Sequence, residues 1–298
     1  MLFMPWLWAV FTVIAAFFQT LRNAMQRELT RTLGTVGATH VRFLFGFPFA
    51  LVFLIGLLLG TAVPLPRPSW TFWPWVIDGA LAQVAATALM LIAMGERSFV
   101  VTIAYLKTEP IQAAIFGLIF LGDAVTFPML TAILIATAGV LVMSTKPGGM
   151  VGGVRPTLLG LASGGMFALS AVGYRGAILD LHLDSFVMAA TFTLVIGLAM
   201  QAVTLSLYLC LRDPAVLKAI VGSWKPSLFA GFMGALASQF WFLAFALATA
   251  ASVRTLALVE VLFAQLVARV AFKQKTTARE AAGMVLVVCG VVLLILAH

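Results

Sequence analysis

An all-α integral membrane protein, with ten transmembrane helices in two inverted five-helix repeats, is the fold class this sequence predicts. Three observations predict it. Hydrophobic residues make up 63% of the 298 and charged residues 9%, with a mean hydropathy of +1.12; a soluble domain carries about 25% charged residues. The apolar runs are uniform rather than alternating, which suits helices that satisfy their own backbone hydrogen bonds in lipid and not the strands of a barrel. The chain also echoes itself at a spacing of 151 residues.

A helix needs about 20 mostly apolar residues to cross a bilayer. Segments of that kind fall at 3–24, 36–60, 73–94, 98–120, 127–145, 157–178, 184–209, 226–248, 252–271 and 278–297. The connections are short and carry breakers such as Pro64, Pro66 and Pro68, Pro147–Gly148–Gly149, and Asp213–Pro214. No stretch remains for a soluble domain.

A shift of 151 residues lays the fourth and fifth segments on the ninth and tenth. Glu109 falls on Glu260, Ala113 on Ala264, Thr126 on Thr277, and Gly139–Val140 on Gly290–Val291. Identity across the window is low, so the argument rests on a rare intramembrane acid and a Gly-Val pair keeping their separation. The two repeats are residues 3–145 and 157–297. Five crossings are an odd number, so the second repeat enters from the opposite side. Inverted repeats of this kind are a recurrent plan for secondary transporters.

The net charge of +8 does not point to nucleic acid, because the basic residues lie between apolar runs, where topology explains them. Twelve of the 18 Lys and Arg fall on the side of the first connection: Arg22, Arg27, Arg31, Arg97, Lys146, Arg155, Arg212, Lys218, Lys225, Lys273, Lys275 and Arg279. Arg67 and Arg175 fall on the side of the termini. This bias places both termini outside the cytoplasm. Cys210 and Cys289 form no CxxC or Cys/His cluster, so neither a disulfide framework nor a metal site is indicated. No cleavable signal peptide is expected, since no Lys or Arg precedes the first apolar run.

Particular stretches resemble the drug/metabolite transporter superfamily, specifically its EamA-type membrane transporters. "HVRFLFGFPFA" (40–50) is similar to the Arg-Phe opening of that family's second helix. "TEPIQAAIFGLIFLGD" (108–123) is similar to its fourth-helix motif, and "AGVLVM" (138–143) and "CGVVLL" (289–294) to the Gly-Val ending of each half. The resemblance implies a multi-pass carrier of the cytoplasmic (inner) membrane. Such a carrier moves a small metabolite, amino acid or drug by alternating access, most often as an exporter. It also implies termini in the cytoplasm, opposite to the charge bias. The sequence departs from the family pattern at Asp123, where the second half has Gln274, and at Val261, which stands where the first half has Pro110.

Ionisable residues at membrane depth are functional hypotheses, because each costs about 2.5–3.5 kcal/mol or more in lipid. Glu109 lies at the centre of its segment, and helical spacing sets Tyr105, Glu109, Gln112 and Phe116 on one face. Glu260 is its counterpart at the 151-residue shift, sharing a face with Leu256 and Phe263. Protonation of either acid would suit coupling to protons. Lys107, two positions from Glu109, points to another helix's acid or lines a cavity wall. Pro110 removes a backbone donor and is expected to hinge the first-half helix, whereas the second half, without this proline, is expected to run straight. Gln83, Gln239 and Trp241 are candidates either for solute contact or for interhelical hydrogen bonds. Gln19, Arg22 and Asn23, with Arg42 on the next segment, form a candidate gate or vestibule, and Tyr174 and Arg175 are their second-half counterparts.

No HExxH, paired-Asp motif, P-loop or GxGxxG is present, and Ser163 in "ASGGM" has no histidine at its depth, so the chain is not expected to be an enzyme or to need a cofactor. The competing class is a non-transporting scaffold or lipid-scrambling subunit, which needs neither an inverted repeat nor a polar midplane. The expected partners are a small-molecule solute, the lipid bilayer and protons.

Overall fold

The computed structural model describes residues 6–94, 105–144, 154–263, 265–266 and 277–297. The start of the fourth expected segment (98–104), the end of the ninth (267–271) and Gln274 lie outside the described residues.

Every regular element among the described residues is helical. One stretch, Leu7–Gly60, is split at Gly34 into α1 (7–33) and α2 (35–60). It is followed by α3 (Phe72–Met94), α4 (Glu109–Phe116), α5 (Phe127–Ser144), α6 (Val154–Asp180), α7 (Phe186–Arg212), α8 (Pro214–Gly222), α9 (Trp224–Leu247), α10 (Ala250–Leu256) and α11 (Ala278–Leu296). Among the described residues, five stretches are long and apolar enough to cross a membrane: Thr32–Gly60, Thr157–Asp180, Phe186–Arg212, Trp224–Leu247 and Ala278–Leu296. Leu7–Asn23, Glu109–Leu121 and Phe127–Met143 are shorter apolar stretches.

Local chemistry explains most boundaries. Ser185 and Thr249 accept from the backbone N–H three residues on and start α7 and α10. Thr277 and Glu280 close a reciprocal capping box at α11. Pro214, a breaker in the sequence, opens α8 instead, because the first turn of a helix has no use for the missing N–H. The expected loop between the first two segments is also helical. Gly34, at φ 65° and ψ −179°, interrupts it for one residue in a region open almost only to glycine.

By its internal contacts the chain forms two units. The first comprises residues up to 13, 85–172 and 248 onward. Its firmest contact is α5 on α11, where glycines bring the backbones together. A Cβ on Gly139 would lie 2.7 Å from the Gly283 oxygen and the Val287 nitrogen, and one on Gly290 would lie 2.6 Å from the Ala136 nitrogen and 2.9 Å from the Ala132 oxygen. The contact is reciprocal: adding 151 to 132, 136 and 139 gives 283, 287 and 290. Arg279 Nε also donates to the Val142 carbonyl, 3.1 Å away, near the end of α5.

The second unit comprises residues 14–84 and 173–247. Its apolar core joins Leu29, Leu33, Ala38 and Val41 to Leu209, Ile220 and Ala230. Tyr174 is 2% exposed, its ring packed 4.5 Å from that of Phe242. Glycine makes room on two sides, since a Cβ on either Gly79 or Gly197 would lie 2.8 Å from the Tyr174 ring. Outside the helices, Ser69 and Thr71 donate to the Asp180 carboxylate and tie the proline-rich connection to the end of α6.

Candidate functional site

Four charges meet within the first unit, and they pair crosswise. Lys107 pairs with Glu260, and Arg254 Nε lies 2.8 Å from Glu109 Oε1. Their side chains are only 10–17% exposed. Each acid therefore takes its cation from the opposite sequence half. Removing one member of such a pair would leave a charge stranded in an apolar bundle.

The helices carrying these charges are broken at the same register. Thr108 N bonds to the Tyr105 carbonyl at 3.1 Å and Ile111 N to the Thr108 carbonyl at 3.0 Å, both three residues back, so the turn at Lys107–Thr108 is tighter than an α-helix. In the second half, 257–259 forms one turn of 3₁₀ helix just before Glu260. The expectation that only the proline-bearing half would bend is overturned. Pro110 stands in the first turn of α4, where it is tolerated, and the break precedes it. For the same reason Tyr105 is not on one regular helical face with Glu109. The breaks also suit the charges: Glu109 sits in the first turn of α4 and Arg254 in the last turn of α10, each matching the dipole of its own helix end.

Gln112 sits one turn along α4 and bonds to Thr108 Oγ1 at 3.0 Å and the Leu161 carbonyl at 3.3 Å. Gly164 and Gly165 open α6 to it: a Cβ on Gly165 would lie 2.6 Å from Gln112 Oε1. Ser163 is fully buried and donates to the Ala86 carbonyl. The α4 helix widens at Gly117–Leu121 into a π turn and stops at Gly122, whose φ is 67°.

In the second unit most of the polar candidates are engaged with neighbouring helices. Gln201 donates to Gln83 Oε1 at 2.7 Å and to the Ala80 carbonyl at 3.3 Å. Gln239 donates to Thr191 Oγ1 at 2.8 Å, and Trp241 Nε1 to Gln19 Oε1 at 3.1 Å. Arg22 donates to Asn23 Oδ1 at 2.7 Å, and Arg175 to the Phe245 carbonyl at 2.7 Å. Arg42 lies with its guanidinium 5.1 Å from the centre of the Phe43 ring, and both Arg22 and Arg42 flank Gly234. At 5% and 7% exposure, both arginines are buried among the helices.

Sequence reasoning passed over three residues. Arg254 was visible as a charge within a segment, but nothing in its spacing named Glu109 as partner. Gln201 carries no charge to draw attention. Asp78, on α3, was findable as a third acid within an apolar segment.

An apolar, all-helical bundle with paired charges at depth defines a multi-pass membrane protein. Over residues 6–145, a little under half of its length, the chain matches the model of the EamA-like transporter family. A solved crystal structure aligns with it at a TM-score of 0.70, covering 97% of this chain and 94% of the other at 16% identity; at that identity the likeness is one of fold alone. No curated protein matches the sequence.

Proposed function

We propose that the protein is a secondary carrier that moves a small organic solute (a metabolite, amino acid or drug) out of the cell by alternating access. The observation that carries this reading is the crossed charge pairing at two helix breaks of equal register. Broken helices at membrane depth are where carriers bind and gate, because irregular backbone is tolerated only where it is buried in protein or lines a cavity. The 151-residue relation recurs in the acids, in the breaks and in the reciprocal α5–α11 contact, which supports two inverted repeats of five helices each.

In this reading the four charges form a neutral latch. While Lys107–Glu260 and Arg254–Glu109 are closed, the broken ends of the two halves are held together. A solute with its own charged or hydrogen-bonding groups exchanges for one pair and releases the latch. The differential interaction of solute with latched and unlatched states is what drives the shift between them.

The test is a comparison of metabolite profiles in cells with and without the protein, followed by flux of the accumulated solute into proteoliposomes. Glu109→Gln is expected to abolish flux while the protein still reaches the membrane. Undiminished flux in Glu109→Gln would sink the assignment of the latch to transport.

A further inference from the structure

Among the described acids, Asp78, Glu109 and Glu260 fall within the apolar segments and away from the connections. Two of them have a fixed cation. Asp78 has none: among the described residues no hydrogen bond or ion pair reaches its carboxylate. It lies six residues into α3, about 9 Å from the helix start at 1.5 Å per residue. Trp70 and Trp73, both exposed, mark the interfacial level at that end of the helix. Asp78 is more than one turn deeper.

Its position is built rather than incidental. Gly173 on α6 meets the Trp75–Gly79 turn of α3, and a Cβ there would lie 2.6 Å from Asp78 Oδ2. The carboxylate thus rests against bare helix backbone at a glycine crossing. Its other face is exposed. A lone carboxylate open to lipid at this depth is costly, so that face opens on water or the group is neutral. Among the described residues no Lys or Arg is paired with it. On α6, Tyr174 interacts with it electrostatically, and Arg175 is directed to the Phe245 carbonyl. On α7, Gln201 donates to Gln83 Oε1, and Gly197 faces the Tyr174 ring. Arg42 on α2 acts on Tyr174.

We propose that Asp78 is the carboxyl group that binds and releases the coupled proton, while Glu109 and Glu260 stay ionised. The inference rests on the carrier reading above and assigns its energy source. A proton on Glu109 or Glu260 would strand Arg254 or Lys107 in the bundle, at a cost of several kcal/mol. A proton on Asp78 strands nothing and removes an unpaired charge from the membrane. Water on one side supplies the proton to Asp78, and the same carboxyl returns it to water on the other side as the transporter changes its opening.

The experiment needs no solute. The full chain in lipid nanodiscs is treated with dicyclohexylcarbodiimide, an apolar electrophile: a protonated carboxyl gives its proton to a carbodiimide nitrogen and bonds through oxygen to the central carbon, whereas an ionised one stays unreacted. The adduct is then mapped by mass spectrometry. The expected result is one adduct within the apolar helices, at Asp78, whose yield falls as pH rises. Asp78→Asn loses it, while Asp78→Glu and Glu109→Gln keep it at position 78. Label at Glu109 or Glu260 in the native chain, or none at position 78, overturns the inference. A carrier that moves solute yet labels at Glu109 overturns only this assignment. A chain labelled at Asp78 that moves no accumulated solute overturns only the carrier reading.

Discussion

Arg254 Nε lies 2.8 Å from Glu109 Oε1, joining the last turn of α10 to the first turn of α4. The two residues belong to opposite halves of the sequence, as do Lys107 and Glu260. The stability of this region therefore depends on charges being removed in pairs or not at all.

Arg254→Met alone strands Glu109 and is expected to cost about 3–5 kcal/mol. Arg254→Met with Glu109→Gln removes both charges and should restore most of that loss. Thermal unfolding of the detergent-solubilised single and double variants measures the difference. Equal losses in the two would show that the pair is not coupled.

Pro110→Ala should leave the break in place, because the equivalent turn at 257–259 forms without proline. The stability change is expected to stay within about 1 kcal/mol, with flux retained. A large loss of flux at unchanged stability would return the hinge role to the proline.

Gly139→Ala should destabilise by about 1–3 kcal/mol, since its new methyl meets backbone atoms of α11 at 2.7 Å. Gly56→Ala is the matched control. It lies in α2 with nothing within 4 Å, so the same change there should be neutral or gain up to about 1 kcal/mol. Melting temperatures of the two variants should move apart.

Gln201→Leu is expected to cost about 0.6–2 kcal/mol, the range of interhelical hydrogen bonds in membranes. Adding Gln83→Leu to it should cost less than Gln83→Leu costs alone, because their shared bond is already lost. A double-mutant cycle on unfolding free energy reads this coupling, and strictly additive losses would refute it.

Cys210 and Cys289 are both free and exposed, and they report orientation. Cys210 lies two residues from Arg212 at the end of α7, on the side the basic residues assign to the cytoplasm. A membrane-impermeant maleimide should label it in inverted vesicles and not in intact cells. Cys289, halfway along α11, should resist the reagent in both. The opposite pattern at Cys210 would place both termini in the cytoplasm, against the charge count.

Composition and uniform hydropathy made the helical membrane class legible, and the 151-residue echo made Glu109 and Glu260 legible as a related pair. Their partners were not. Helical spacing tells which residues share a face, but a partner such as Arg254 is chosen by packing between segments far apart in sequence. The break before Glu260 was hidden for a different reason. Proline announces a kink in sequence, whereas a single 3₁₀ turn among Ala, Leu and Val residues has no compositional mark. The continuous helix between the first two segments was concealed by its charges. Arg27, Arg31 and their neighbours read as a loop, yet lie in an extension of α1 that runs to one glycine.

The crossed pairing also sets an order of events during synthesis. Lys107 and Glu260 are separated by 153 residues. At about 5–20 residues per second, Lys107 emerges from the ribosome roughly 8–30 s before its partner exists. Through that interval Lys107 and Glu109 must be sheltered by the insertion machinery or by water. A cell that translates faster shortens the exposure, and a nascent chain stalled before residue 254 cannot complete either pair.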